Sequence, residues 1–487
     1  MSQLLCNESF LKAGLPAESG ELISYAIENN LLSKLFLIFP TGKIVRKGKQ
    51  NILKEYFEKY NKPLESTNVF TLQNFIRLIN VQTFSQNRSR TISDAHRLAI
   101  FEEAVQNSEL MFYKKCDGKV SYPVLQKLAN VVWGLKEDGI TPDKMKKRLN
   151  DYMAVNDGTL EVLKYGDIAN LYSAYEIIKG DKLLDNEDVT AQVNHYYKIN
   201  GSSENELFSR NSNELTKIFP SDSIIHFEGF SEFKFPETVF LSLFSNAEFP
   251  VSIRIDFLLN EKKSLENGPL FGNLEKTIID LSDSGFKLIT LDVFTQKQKD
   301  ELEEVLPSYF LRRWLFNTEK KIENEKFSFM VKIFECENRI EEVRTLAKLI
   351  KWLVLEKNYK LPEICVVMRQ PEQYTTLFRE IFQEYKIPVN ISDRYKLSSS
   401  NVVNSIFAVL DLVINRFRRE DVNKILNSQY LSLGHKENPE NRINSTRLYD
   451  LAVQLRINGG IKSGGKNAWK KKMEFRLRSL ENQLKYA

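Results

Sequence analysis

The chain has 487 residues, too long for a single core, so two to four domains are expected. Hydrophobic residues at 42% and charged residues at 27% describe an ordinary globular protein. No stretch approaches the roughly 18 to 20 apolar residues a membrane span requires, and the start, Met1 to Ser9, lacks the basic and apolar regions of a signal peptide; the expectation is a cytoplasmic location with no membrane partner. The net charge of +5 says less than its distribution. Arg456 to Ala487 carries nine Lys/Arg against two acids, and Lys34 to Lys62 carries eight against two. Such stretches are either phosphate-binding surfaces or solvated helix faces.

In chain order, Leu35–Phe39 is a short apolar run suited to a strand buried on both faces, broken by Pro40-Thr-Gly42 and followed by a helix to Tyr60. Asn68–Thr71 predicts a second strand and Leu72–Asn80 a second helix, the βαβ signature of a parallel sheet. From about Thr91 to Tyr197 strands are expected to vanish: Ser93-Asp94 caps a helix through Val105, and Val124–Lys136 and Ile168–Ile178 repeat the helical spacing. Pro142-Asp143 reads as a turn between helices, and 201–213 as a polar connection. Strands resume at Ile224–Phe227 and Pro250–Phe257, with a helix from Pro236 between them.

A second α/β region begins with an expected strand at Val331–Phe334. Ile340, Val343, Leu346, Ala347, Ile350, Leu353 and Val354 then make one helical stripe. An expected strand at Ile364–Met368, a helix over Tyr374–Tyr385 and a strand at Ile387–Ile391 complete a βαβαβ pattern. The four cysteines (Cys6, Cys116, Cys336, Cys365) are far apart, with Cys336 and Cys365 in apolar runs, and read as reduced buried thiols. The four histidines show no zinc spacing, and no Gly-x-Ser-x-Gly elbow occurs. His226 reads as a core histidine. Trp469, flanked by Lys466 and Lys470–Lys472, either packs or stacks a base.

Ile224-Ile-His-Phe-Glu-Gly-Phe-Ser-Glu232 resembles the strand of superfamily 1 helicases that ends in Asp-Glu-Phe-Gln-Asp. In that comparison Glu228 takes the place of the Mg²⁺-holding acid, Gly229 that of the water-polarising glutamate and Glu232 that of the last acid. Phe39-Pro-Thr41 with Lys43 and Arg46, and Phe70-Thr-Leu-Gln-Asn-Phe-Ile-Arg77, are similar to elements bordering single-stranded DNA in the family, which marks Thr41, Lys43, Arg46, Thr71, Gln73 and Arg77 as DNA contacts. Glu341-Glu-Val-Arg344, Tyr359 to Arg369 and Phe382 to Pro388 resemble the opening of the second motor domain, with Arg369 at the motif IV arginine.

Taken together, residues 30–430 resemble the B subunits of AddB/RexB-type helicase–nucleases. The resemblance implies an α/β, P-loop NTPase-like fold: superfamily 1 parallel sheets with inserted helical domains. The implied domains are 1–90 and 201–330 (motor-like domain 1A), 91–200 (helical insertion 1B), 331–395 (start of domain 2A) and 396–487 (start of insertion 2B). Departures are equally informative. Gly-x-x-x-x-Gly-Lys-Ser/Thr is absent, and Gly14 to Gly20, where it belongs, is followed by Glu21. Without a phosphate loop, Arg369 is left with a structural salt bridge as its alternative role.

The resemblance implies no catalytic residue and no metal or cofactor in this chain. The family's Mg²⁺ and 4Fe-4S cluster belong to a PD-(D/E)XK nuclease domain expected beyond it, the chain reading as a fragment or truncated version. The expected function is a non-catalytic scaffold for single- and double-stranded DNA ends in double-strand break resection and recombinational repair, paired with an AddA-type helicase–nuclease subunit as a heterodimer. The alternatives are a diverged active DNA-dependent ATPase and a pure protein-interaction subunit.

Overall fold

The computed structural model describes residues 3–84, 89–113, 120–156, 159–197, 218–255, 267–290, 301, 306–316, 331–391, 400–431, 434–435, 438–442, 444–460 and 464–485. The chain divides into two compact units, Met1–Ile333 and Phe334–Ala487.

The first unit opens with β1 (Gln3–Cys6), α1 (Glu8–Ala13) and α2 (Ser19–Glu28), none of which the apolar pattern announces. β2 (Leu35–Phe39), α3 (Gly42–Tyr60), β3 (Val69–Thr71) and α4 (Leu72–Thr83) follow as expected. Gly48 lets α3 lie close on the sheet: a Cβ there would stand 3.1 Å from Phe39 and 3.4 Å from Val69. β4 (Arg90–Thr91), α5 (Asp94–Asn107), α6 (Tyr122–Glu137), α7 (Pro142–Asn156), α8 (Leu160–Lys179), β5 (Leu183–Leu184) and α9 (Asn186–Tyr197) form the middle of the chain. The sheet resumes with β6 (Ile224–Glu228), α10 (Phe235–Ser242), β7 (Val251–Ile255), α11 (Gly268–Asp283), β8 (Lys287–Thr290) and α12 (Pro307–Trp314).

The six strands are ordered β3-β2-β6-β7-β1-β8. β3, β2, β6 and β7 run parallel, while β1 is antiparallel to both β7 and β8, so the sheet is mixed and mainly parallel. Phe75, Phe219, Phe227, Phe240, Phe244 and Phe249, all fully buried, centre its core. Phe75 meets Phe227 and Phe240 edge-to-face, with ring centroids 5.9 and 6.2 Å apart, a favoured aromatic geometry. Buried Asn7 fixes β1 beside β7: its side chain accepts from Val251 N–H at 3.1 Å and donates to Phe249 O at 2.9 Å.

The middle of the chain differs from the sequence reading in two respects. Strands do not vanish there, since β4 and β5 pair in a two-residue parallel ladder. Pro142 opens α7 instead of making a turn, because proline's fixed φ and missing N–H suit the first helical position. Helices α5, α6 and α8 have a core of their own around Phe101, Leu128 and Tyr175. Val189, Val193 and Tyr197 of α9 instead join the core of the sheet. The polar connection 201–213 lies outside the described residues.

A buried ionic network holds this helical block together. Lys136 donates to Glu176 and Asp185, both at 2.6 Å, and to Asp188 at 2.8 Å. Lys179 donates to Glu176 at 2.6 Å and also to Asp188. Burial disfavours the Lys136 ammonium, but Asp188, Asp185 and Glu176 outweigh it and raise its pKa. Glu176, Asp185 and Asp188 could hold a metal by their spacing, yet the two ammonium groups already fill that role.

The second unit contains α13 (Arg339–Glu356), α14 (Pro371–Glu384), α15 (Asn401–Ile414), α16 (Arg419–Leu426), β9 (Gly434–His435), β10 (Asn438–Arg442), α17 (Ser445–Gln454) and α18 (Gly465–Lys485). The expected strands at 331–334, 364–368 and 387–391 are not formed: among the described residues these segments enter no ladder. Ile364, Val366, Met368 and Ile387 do turn inward onto α13 and α14, but Val367 is 89% and Ile333 95% exposed. Alternation buries one face of an extended segment, whereas a strand also needs a neighbouring backbone to complete its hydrogen bonds. The thiols are corrected as well. Cys6 is buried and its pKa is pushed up to about 11, chiefly by that burial. Cys336 is half-buried and Cys365 exposed, because Cys365 points outward from its extended segment. Cys116 lies outside the described residues.

Removing one partner of a buried ion network leaves uncompensated charge. Lys136→Met is therefore expected to destabilise the first unit by about 3–5 kcal/mol, and Lys136→Met with Asp185→Asn by less. Urea unfolding of the three proteins checks the order.

Candidate functional site at the carboxyl edge of the sheet

Because β2, β3, β6 and β7 are parallel, their carboxyl ends share one edge. The chain leaves β2 toward β3 on one side and β6 toward β7 on the other, so the winding reverses between β2 and β6. In open α/β sheets such a reversal leaves a crevice where ligands bind. Here Pro40 follows β2 and Gly229 follows β6. A Cβ on Gly229 would lie 3.6 Å from Pro40 and 3.9 Å from Ile44, and the residue has φ +84°. A side chain at 229 would meet that proline at ordinary contact distance but would have to adopt a left-handed backbone, which L side chains rarely do.

Glu228, the last residue of β6, has its oxygens engaged. Ser19 N–H, in the first turn of α2, donates to Glu228 Oε2 at 3.0 Å. His226 Nε2 stands 3.3 Å from the same oxygen. Arg254 Nη1 donates to Glu228 Oε1 at 2.9 Å, and its Nη2 to Glu18 Oε1 at 2.8 Å. A carboxylate only accepts, so His226 presents Nε2–H to Glu228, while its Nδ1 and Ser252 Oγ share a hydrogen bond at 2.8 Å. His226 is fully buried, in accord with a core histidine. Burial works against the Glu228 charge, but hydrogen bonds from His226 and Ser19 prevail and lower its pKa to about 2.

This arrangement suits a structural carboxylate. The N-terminus of α2 offers N–H groups and a partial positive charge, as a phosphate-binding helix does, and Glu228 takes up that position from within. A Mg²⁺ ion would have to displace an arginine and two N–H donors, so the residues around Glu228 do not fit the ion. Gly14 and Gly20 build no phosphate loop, since Gly14 caps α1 and Gly20 lies inside α2. Glu232 is exposed beyond the strand.

The six residues marked as DNA contacts fall into two groups. Thr41, Lys43 and Arg46 are exposed at the start of α3. Thr41 Oγ1 also caps that helix by accepting from Ile44 N–H at 3.5 Å. Lys43, Arg46, Lys47 and Lys54 fall at helical spacing on the face opposite buried Gly48 and Ile52. Among the described residues Lys43, Arg46 and Lys47 enter no ion pair, whereas Lys54 pairs with Glu58 at 3.8 Å and Lys34 with Asp222. Thr71, Gln73 and Arg77 are half-buried on α4. Thr71 Oγ1 caps that helix at Asn74 N–H, 3.3 Å away. Arg77 donates to Asn186, and Gln73 borders a cavity of about 180 Å³ with Lys136, Glu187 and Lys234.

Within the second unit, Arg369 is exposed at the rim of a mainly apolar cavity of about 390 Å³ with Val343, Met368, Tyr374 and Phe378. It has no ion pair among the described residues, so the structural salt bridge offered as its alternative role is not seen. Trp469 is half-buried and donates from Nε1 to Phe417 O at 2.8 Å.

The UvrD-like helicase C-terminal domain family matches residues 289–458. The B subunit of the ATP-dependent helicase/deoxyribonuclease of Pediococcus pentosaceus is 22% identical over 360 residues, 72% of this chain and 28% of the relative. That of Clostridioides difficile is 24% identical over 427 residues, 79% of this chain and 35% of the relative. The B subunit of Alkaliphilus oremlandii is 21% identical over 338 residues, 68% and 27% of the two chains. This chain is a homologue of helicase/deoxyribonuclease B subunits. It spans about a third or less of the length of these relatives.

The motif at the end of β6 singled out Glu228 and Gly229, but not Glu18, Ser19 and Arg254 as the partners of that carboxylate. Nothing local marks those three, which come from segments far apart in the chain. The lowered pKa of Glu228 sets a sign for stability. A carboxylate stronger in the folded state stabilises above its ordinary value of 4.5, and that contribution is lost as pH falls toward about 2. Glu228→Gln is expected to lower stability by about 1–3 kcal/mol at pH 7. The difference from the unsubstituted protein should shrink below pH 4.5; denaturant titration across pH measures it.

Proposed function

We propose that this chain is a non-catalytic, DNA-holding part of a helicase–nuclease that acts in double-strand break end resection and recombinational repair. On this reading the first unit is a motor-like α/β body of P-loop NTPase ancestry with a helical insertion at 91–200, and the second unit is a counterpart of the second motor domain with its own insertion from 396. The observation that carries it is Glu228. Its charge is spent on Ser19, His226 and Arg254, and Gly229 beside it offers no carboxylate to orient a water.

DNA contact falls to the exposed stripe of α3. Lys43 and Arg46 would neutralise phosphates, with Thr41 at the helix start, and Thr71, Gln73 and Arg77 would line the adjoining edge. We place the chain in the cytoplasm with an AddA-type motor subunit as partner; among the described residues no helix is long and apolar enough to cross a membrane. The chain itself is proposed to use no cofactor, the Mg²⁺ and 4Fe-4S cluster belonging to a nuclease domain.

Two outcomes are expected. The purified chain should show no DNA-stimulated ATP hydrolysis above background, and Gly229→Glu should not create it, since that position holds a left-handed backbone against Pro40; a phosphate-release assay decides both. Lys43→Glu with Arg46→Glu should weaken binding of single-stranded DNA about tenfold or more at low salt and flatten its salt dependence, at about 0.7 counterions per lost contact. Unchanged binding in a filter or anisotropy titration would leave the interaction-subunit reading instead.

A further inference from the structure

The second unit gathers basic side chains from three segments, and we propose that the resulting surface binds the phosphodiester backbone of single-stranded nucleic acid, independently of α3. The first segment is the turn between α15 and α16, Arg416-Phe-Arg-Arg419, with Arg416 and Arg418 exposed. The second is the loop after α17, with exposed Arg456 followed by Asn458, Gly459 and Gly460. The third is the start of α18, with exposed Lys466 and Lys472.

Backbone contacts, not charge, bring these segments together. Arg419 N–H donates to Asn458 O at 3.0 Å, Gly460 N–H to Arg416 O at 2.9 Å and Gly465 N–H to Gly460 O at 3.0 Å. Trp469 Nε1 reaches Phe417 O at 2.8 Å, and Lys472 Nζ reaches Arg456 O at 2.6 Å. A Cβ on Gly459 would stand 1.8 Å from Phe417 O, so only glycine permits this approach. Trp469 is thus a pin that sets the surface, not a platform for a base.

The like charges so assembled are poorly compensated. Glu420 pairs with Arg418 at 3.4 Å on the exposed rim, and the neighbouring Asp421 is buried and taken up by Asn415 and Lys424. Arg419 lies over the Tyr449 ring, 5.5 Å from its centroid. Its Nε is shielded from solvent and meets no acceptor among the described residues. Arg418 and Arg419 line a cavity of about 540 Å³ with Asn415, Glu420 and Asn458. Among the described residues no apolar side chain lines it, whereas a protein partner would want an apolar or aromatic anchor at the centre of its interface. Guanidinium groups over an open polar cavity match phosphate oxygens.

Anisotropy of a labelled oligo-dT with the full chain tests this. Arg416→Ala with Arg419→Ala and Lys466→Ala should lower affinity at least about tenfold at low salt and reduce the log–log salt slope by about two, from three lost contacts at about 0.7 each. The same loss should appear in the Lys43→Glu/Arg46→Glu background, and the matching Arg→Lys variant should keep most of the binding and the slope, showing that charge and not folding is at issue. Unchanged affinity and slope on removing the three side chains, while α3 substitution still weakens binding, would overturn this inference and leave the proposed function standing. No oligo-dT binding by the unsubstituted chain would overturn both. If the three substitutions abolish binding of inorganic triphosphate or of poly-glutamate but not of oligo-dT, the surface serves a free phosphate or an acidic protein, and the inference fails.

Discussion

The carboxylate of Glu228 at the start of α2 is the contact on which the first unit's character depends. It joins the last residue of β6 to the helix that follows α1, and through Arg254 it joins both to the end of β7 and to Glu18. A negative group at that helix start is favourable for the same reason a bound phosphate would be. The protein supplies that group itself. At that point of the sheet edge, where this class of fold ordinarily takes a ligand, Glu228 is occupied by internal pairing.

Exposed charge in this unit lies on the surfaces around that edge. α3 keeps Gly48 and Ile52 against the sheet and turns Lys43, Arg46 and Lys47 to solvent. The helical block is fixed by a different device, two lysines shared among three carboxylates in its interior. Such a network tolerates little displacement, because each ammonium group depends on all its partners to offset burial. α9 extends this block into the core of the sheet, carrying Asp188 on one side and Val193 on the other.

The second unit follows another logic. Its helices α13 and α14 pack on one another and on inward-facing Ile364, Val366 and Met368. The same segments turn Cys365 and Val367 outward, without a neighbouring backbone among the described residues. The βαβαβ pattern expected there is not completed among the described residues: side-chain pattern specifies which face is buried, while a ladder depends on a partner strand.

Much of the first unit could be read directly from residues. Leu35–Phe39 is an apolar run suited to burial on both faces, the strands expected at Ile224–Phe227 and Pro250–Phe257 form over Ile224–Glu228 and Val251–Ile255, and Ser93 is a helix cap because its side chain reaches back to a nearby N–H. Gly229 was equally legible, as a residue that cannot supply a carboxylate. These are local properties, set within a few residues of chain. Tertiary structure alone decided that β1 runs antiparallel beside β7, held by Asn7 from 244 residues away. It alone decided that Ser19 and Arg254 saturate Glu228, that Arg77 turns to Asn186, and that Arg416–Arg419 meets Arg456 and Lys466. Each of these depends on segments distant in sequence that meet only when the cores form, and no periodicity in a single segment encodes which distant group will be its neighbour.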